Sequence, residues 1–403
     1  MKRSINLIFI LYSFFILGFF LNADPNSGAF GDYQNHIRVI NDFENNLIDT
    51  LFNYDSYNTR HSPVLYIIIS FFYKLNIPDQ LIRIFSIHLC LFLPFIFYKC
   101  LLKKYPKVDK EILILLSGII LISPTFWSLS IWPDSRLFGL IFFCLSIYYF
   151  LNFRNEKNFI DVLKCIIAYT ISSYLSPNFA VFSIFYFYFF YLEFRFTKKI
   201  FLIILINIIF SLPAFLYLLL LENNFLFNPA SPGAIGEIDY LNYSNKLLII
   251  SSIIFFYLLP FFFVNSIKIK SFNLKIIFFS VLLVFFLSTK FNYNFNLTGG
   301  GIFFQFSYYF FKNNYFFFLV CIFSFYVIFF ICKHQKINFL ILFLLIISNP
   351  QYTIYHKYFD PLLLILFLLM FEFKINEKKL FNYRSIFIFY LYTGSFLIIN
   401  IMK

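Results

Sequence analysis

Apolar stretches and short polar breaks alternate along the whole chain. The first apolar run, Ile5 to Leu21, follows Lys2 and Arg3 and leads into "FFLNADPN". No small-residue cleavage signature follows it, so it is expected to remain as a first span with its N-terminus inside. A polar stretch then covers residues 22–62, and the apolar "VLYIIISFFYKLN" after it is too short for a helix that crosses a ~30 Å hydrocarbon core. Longer runs begin near Leu81, Ile112, Leu137, Phe159, Phe179, Ile200, Leu247, Leu274, Tyr315, Ile337, Phe359 and Ser385. With the first run added and the short one left out, the pattern predicts an all-α polytopic membrane protein of about thirteen transmembrane helices.

Composition agrees with this pattern, because 61% hydrophobic residues and a mean hydropathy of +0.79 exclude a soluble globule. The net charge of +13 would point to nucleic acid in a soluble protein. In a polytopic chain it reports topology instead, and no nucleic-acid partner is expected. The segments "MKR", "KKYPKVDK", "RNEKN", "RFTKK", "KIKSFNLK", "KHQK" and "KINEKK", with Lys164 and Arg384, hold 21 of the 32 Lys and Arg. Thirteen spans put all of these segments inside. If residues 64–76 also crossed, every later loop would invert and the bias would reverse. The short stretch is therefore expected to be re-entrant or interfacial on the outer side, with the C-terminus outside.

The outer face then receives residues 22–62, "WPDSR" (132–136), "LSPN" (175–178), 222–245, 292–301 and 349–360. The inner loops are short, basic and featureless, so function is expected outside. Residues 1–403 read as a single transmembrane domain, with 22–80 an outer loop carrying an amphipathic helix and the short re-entrant one. Ile37, Ile40, Phe43, Leu47 and Leu51 recur at helical spacing in that loop, as expected of a helix lying on the membrane surface. Asp32 stands at its start, where a carboxylate also suits a helix N-terminus.

A few residues stand out as carriers of chemistry. Arg60 and His61 precede Pro63 where the chain re-enters the membrane, a place for an anchor or for a phosphate-binding arginine. Asp134 in "WPDSR" lies beside Arg136 between two apolar runs, and an acid so close to a membrane boundary is costly. In "YHKYFDP", His356 and Lys357 are placed to meet a lipid phosphate or to snorkel. The six cysteines lie in or beside apolar runs without a C-x-x-C pair, and no histidine spacing suggests a metal site. "TGGG" at 298–301 reads as a turn rather than a nucleotide cradle.

The order of these features over residues 1–155 resembles the GT-C membrane glycosyltransferases. The similar branch contains the bacterial protein O-mannosyltransferases and lipid A aminoarabinose transferases. The residues that carry the resemblance are a first span, a long loop opening with "GD", then "RHSPVLYIIISFFYKL", and an acid after the third span in "SLSIWPDSRLFGLIFFCLSIYYF". Beyond residue 155 only the topology and "YHKYFDPLLLILFLL" agree. The chain departs from the pattern in Tyr33 where a second acid is usual, in the missing second proline of "HSPVLY", and in lacking a large C-terminal outer domain.

The resemblance implies a donor in which a sugar is carried on a polyprenyl phosphate or diphosphate. It implies an acceptor hydroxyl on a lipid, glycan or protein, and an active site at the outer face of a bacterial inner membrane. Carried onto this chain, it makes Asp32 the catalytic base and Asp134 a second acid that orients acceptor or sugar. Arg60, His61 and Lys357 would stabilise the departing phosphate, with Arg136 and His356 as further donor-phosphate ligands. A cofactor is not specified; a lone acid leaves room for a divalent cation but holds one less well than a pair.

Two other classes use similar features. An O-antigen or exopolysaccharide polymerase also handles lipid-linked sugars, but usually through arginines in large outer loops, and 222–245 and 292–313 contain none. A transporter should have charges deep within its spans, whereas Arg83 and Glu193 lie near span ends.

Overall fold

The computed structural model describes residues 2–25, 28–57, 59, 61–221, 242–264, 266, 273–294, 299–333, 335–372 and 376–402. Among these the chain is helical throughout and no strand occurs. Each of the predicted runs contains helix, and among the described residues six helices are long and apolar enough to cross a membrane. They are Asp79–Lys104, Ser135–Glu156, Lys198–Leu220, Tyr243–Phe263, Tyr315–Cys332 and Tyr383–Ile401. A seventh is reached if Lys110–Ile122 and Pro124–Ile131, bent by 63° at their junction, form one broken span.

Other apolar runs form shorter helices, among them Ile5–Phe20, Leu274–Ser288 and Ile337–Ile347, and some runs contain breaks that hydropathy does not register. At Ser123 the side chain caps a new helix, accepting the Phe126 amide at 3.1 Å, and Pro124 fixes the first turn. The run near Phe359 yields only the 8-residue helix Leu362–Leu369, a length of about 12 Å. Val64–Lys74 has 11 residues, about 16 Å of helix, and falls short of a span as its sequence predicts.

Contacts divide the chain into two compact units, Met1–Asn228 with Tyr390–Lys403, and Pro229–Phe389. In the first, Ser135–Glu156 and Phe159–Leu175 form the most extensive helix pair. Gly139 permits their approach: a Cβ there would lie 2.8 Å from that of Ser176, and its carbonyl accepts the Ser172 hydroxyl at 2.7 Å. Phe143, Phe150 and Phe153 interleave with Phe179, Tyr186 and Phe190 as offset and edge-on rings.

The first-loop helix Ala29–Asn45 belongs to this unit and corrects one expectation. Its Val39, Ile40 and Phe43 do not lie open to a membrane surface; they form a core with Leu65, Tyr66 and Ile69 of Val64–Lys74 and with Tyr54 and Ile82. The same amphipathic pattern serves either purpose, and here a short apolar helix of the same chain covers it.

The second unit contains Tyr243–Phe263, Leu274–Ser288, Gly301–Phe311, Tyr315–Cys332, Ile337–Ile347 and Leu362–Leu369. Gly299, Gly300 and Gly301 all have positive φ, from +79° to +106°, a region that only glycine enters cheaply. The Gly300 amide donates to the Ile354 carbonyl at 2.9 Å, which packs Gly299–Gly301 into a tight turn. Residues 222–241 and 295–298, within two of the expected outer loops, lie outside the described residues.

Candidate functional site

The site grows from the start of Ala29–Asn45. The carboxylate of Asp24 reaches forward to accept the amides of Gly28 at 2.8 Å and Phe30 at 3.0 Å, satisfying donors that a helix start leaves open. Capping is therefore done by Asp24. Asp32, half-buried in the first turn, is not the cap that its position suggested. One turn further, on the same edge, comes His36, which is buried.

The His36 ring lies 4.7 Å from that of His61 and 4.8 Å from that of Tyr66, measured between centroids. His61 is positioned by its own backbone, whose carbonyl accepts the Tyr54 hydroxyl at 2.8 Å. Its Nδ1 lies 3.4 Å from the Ser135 hydroxyl. Pro63 then sets the start of Val64–Lys74 and puts Tyr66 in its first turn.

Asp134 is the N-cap of Ser135–Glu156, its Oδ1 accepting the Arg136 amide at 2.7 Å. It is buried, and Arg136 beside it is half-buried. The two acids converge on one group. The Tyr66 hydroxyl is held well above the ordinary tyrosine range, first by burial, then by neighbouring Tyr54 and by the negative charges of Asp134 and Asp32. The structure thus sets His61 beside Tyr66, whose hydroxyl feels the charges of Asp32 and Asp134, and adds His36 and Ser135, which the sequence did not single out.

A second layer holds this cluster in place. Trp132 packs edge-on against Phe30 at 4.7 Å, and the Arg83 guanidinium sits 3.7 Å over its ring. Arg83 also donates through Nε to the Ile131 carbonyl and through a terminal nitrogen to Asn22 Oδ1, each at 3.0 Å. The hydroxyls of Tyr33 and Tyr73 both donate to Asp79 Oδ1. Burial, and then the hydrogen bond to Asp79, push Tyr33 far up.

Next to the cluster opens a groove of about 860 Å³ between Phe159–Leu175, Ser183–Phe194 and Lys198–Leu220. Its walls are mostly apolar, with Tyr169, Asn207 and Tyr217 among the polar exceptions. Ser62, Pro63 and Val64 line it as well, so the segment that carries His61 runs directly into the groove wall.

Arg60 lies outside the described residues. His356 and Lys357 belong to the second unit. There His356 packs against Phe256 and Tyr257, with Nδ1 3.4 Å from the Tyr257 hydroxyl, and Lys357 Nζ lies 5.2 Å from the Tyr355 ring centre. Among the described residues no three His, Cys, Asp or Glu are grouped to hold a metal ion.

His36 had one readable signal, its place four residues after Asp32 on a helix. Tyr66 had none beyond its position in "HSPVLY". No protein-family model, no curated protein and no solved structure matches this chain.

Proposed function

We propose that the chain is an integral-membrane glycosyltransferase of the GT-C type, with about thirteen passes in a bacterial inner membrane. In this reading it moves a sugar from a polyprenyl-phosphate-linked donor to a hydroxyl of a lipid, glycan or protein on the outer face. One observation carries the reading: a buried to half-buried cluster of acids and imidazoles adjoins an apolar groove, and Ser62 to Val64 join the two. An amphiphile with a polar, reactive head and a long apolar tail matches that pairing. A groove of this volume accommodates a tail of many methylenes, each contributing about 0.8 kcal/mol on burial.

In the proposed reaction Asp32 takes the proton of the acceptor hydroxyl as its oxygen attacks the anomeric carbon. The bond to the lipid phosphate breaks, and the phosphate leaves with that bonding pair. Asp134 orients the sugar or acceptor, while His61 and Arg136 stabilise charge on the departing phosphate. Arg60, His356 and Lys357 keep the same phosphate role from the sequence alone. The test is transfer in proteoliposomes loaded with a polyprenyl-phosphate-linked sugar. Asp32→Asn is expected to abolish transfer while the protein stays inserted and melts as the unmodified chain does. Transfer by that variant at the unmodified rate refutes Asp32 as the base, and no transfer from any such donor refutes the class.

A further inference from the structure

The helix Lys198–Leu220 forms one side of the groove but is hardly packed against the rest of its unit. Of its 23 residues only Ile200 and Ile203, near the first turn, are buried. At the other end Leu221, just past the helix, is buried in the core that holds Phe43, Tyr54 and Tyr66. Between these two anchors no side chain is buried, and Ile204, Asn207, Ser211 and Ala214 line the groove.

Hydrogen bonds hold this middle stretch in place of packing, as they can between helices in a bilayer. The Tyr169 hydroxyl donates to Asn207 Oδ1, and Asn207 donates through Nδ2 to the Ile203 carbonyl at 2.8 Å. The Tyr174 hydroxyl donates to the Phe210 carbonyl at 2.8 Å and accepts the Ala214 amide at 3.3 Å. Both tyrosines come from Phe159–Leu175, another wall of the groove. Tyr174 also meets the helix at a weak point. Pro213 stands inside the helix without an amide, so the rung to the Ile209 carbonyl is missing. The rung beside it, Phe210 to Ala214, is the one that the Tyr174 hydroxyl enters. A proline and an inserted side chain are each a known cause of a helix bend. A helix anchored at both ends, weakened in the middle and backed by open volume has room to bow.

We infer that the middle of Lys198–Leu220 is a movable side wall, latched by Tyr169 and Tyr174 and hinged at Pro213, that bows outward as a hydrocarbon chain enters the groove. That the chain belongs to a sugar donor rests on the transferase reading; that the wall moves rests on how it is held. Among the described residues no Asp, Glu, Lys, Arg or His lines the groove, so the chain rather than a charged head should drive the movement.

The experiment measures distance rather than transfer. The full chain is spin-labelled in phosphatidylcholine nanodiscs at two pairs of substitutions, Tyr188→Cys with Leu212→Cys and Tyr188→Cys with Phe201→Cys. All three positions are exposed and lie outside the groove lining, and the six native cysteines are buried. Without added ligand each pair should give one narrow distance. Undecaprenyl phosphate should lengthen the 188–212 distance by several ångströms and leave 188–201 unchanged. Undecaprenol, the same chain without the phosphate, should do likewise. Tyr174→Phe should populate the longer distance with no ligand present, whereas Pro213→Ala, which restores the missing amide, should keep the shorter one in its presence. A 188–212 distance that neither ligand nor Tyr174→Phe changes overturns the inference, as does a shift given by the phosphate alone or shared equally by both pairs. A moving wall without transfer from any lipid-linked donor would leave this inference standing and remove the transferase reading. Transfer through a wall that stays fixed would do the reverse.

Discussion

The rings of His36 and His61 meet edge-on with centroids 4.7 Å apart, one from the Ala29–Asn45 helix and one from the segment before Pro63. This contact ties the first-loop helix to the start of Val64–Lys74 beside Tyr66, on whose hydroxyl the charges of Asp32 and Asp134 act. Packing and chemistry can be separated at His36. His36→Phe keeps a flat ring against its neighbours but removes the ring nitrogens. It is expected to melt within a few degrees of the unmodified chain and to lose transfer by a factor on the order of 100, the scale of one proton-transfer group. His36→Ala should lose both. Full transfer by the phenylalanine variant would reduce His36 to a packing residue.

Asp134 also has two roles that substitution can separate. As N-cap it holds the Arg136 amide at 2.7 Å, and asparagine caps a helix about as well as aspartate. Asp134→Asn should therefore preserve thermal stability while removing the charge that acts on Tyr66, and is expected to lower transfer at least tenfold. Asp134→Ala should in addition cost about 1 kcal/mol of stability through the lost cap. If both variants transfer at the unmodified rate and differ only in melting, Asp134 is a cap and nothing more.

Apolar runs were readable because burial in hydrocarbon demands long stretches of one composition. Where a run is interrupted was not, because a break such as Ser123–Pro124 depends on a single side-chain cap and leaves hydropathy unchanged. Asp32 could be picked from the sequence by its place at the start of a helix and by the resemblance, but the residue that caps that helix could not. Asp24 reaches the Gly28 and Phe30 amides only through the path of the intervening chain. Tyr66 is one of 30 tyrosines, and whether a hydroxyl is satisfied depends on neighbours from other elements. The amphipathic face of Ala29–Asn45 was visible, but its partner was not, since a helix face records only that something apolar covers it.

The first-loop assembly should fail in alkali. The Tyr57 hydroxyl donates to Asp42 Oδ2 at 2.7 Å, and burial together with that hydrogen bond pushes Tyr57 up to about 12. Tyr73 is likewise pushed up to about 12, by burial and then by the charge of Asp79. Both groups titrate near 10 when unfolded, so their folded values are raised. The stability linked to them is fully present below pH 10 and is lost as pH rises towards about 12. Thermal melts should thus be level in mildly alkaline buffer and fall steeply over that window. Asp42→Asn removes the anionic acceptor and should move the Tyr57 titration, followed by absorbance, back towards its ordinary value. A titration unmoved by that change would mean that burial alone sets it.

The groove makes the last prediction, because it separates binding of a tail from chemistry at the head. Ala180 lines the groove and is exposed, so a larger side chain there has room to enter the open volume without displacing the core. Ala180→Trp should therefore fold normally but take up space that the apolar chain of a donor needs. Contacts to a remote tail are the same in ground and transition states, so their loss should appear in KM with kcat nearly unchanged. Losing two or three buried methylenes at about 0.8 kcal/mol each corresponds to a rise in KM of roughly 10- to 60-fold. Short-chain donors, whose tails stop before Ala180, should be affected least, and comparing chain lengths in one assay tests this directly. A fall in kcat that is independent of tail length would indicate that Ala180→Trp disturbs the polar cluster, and the groove would lose its assignment as the tail site.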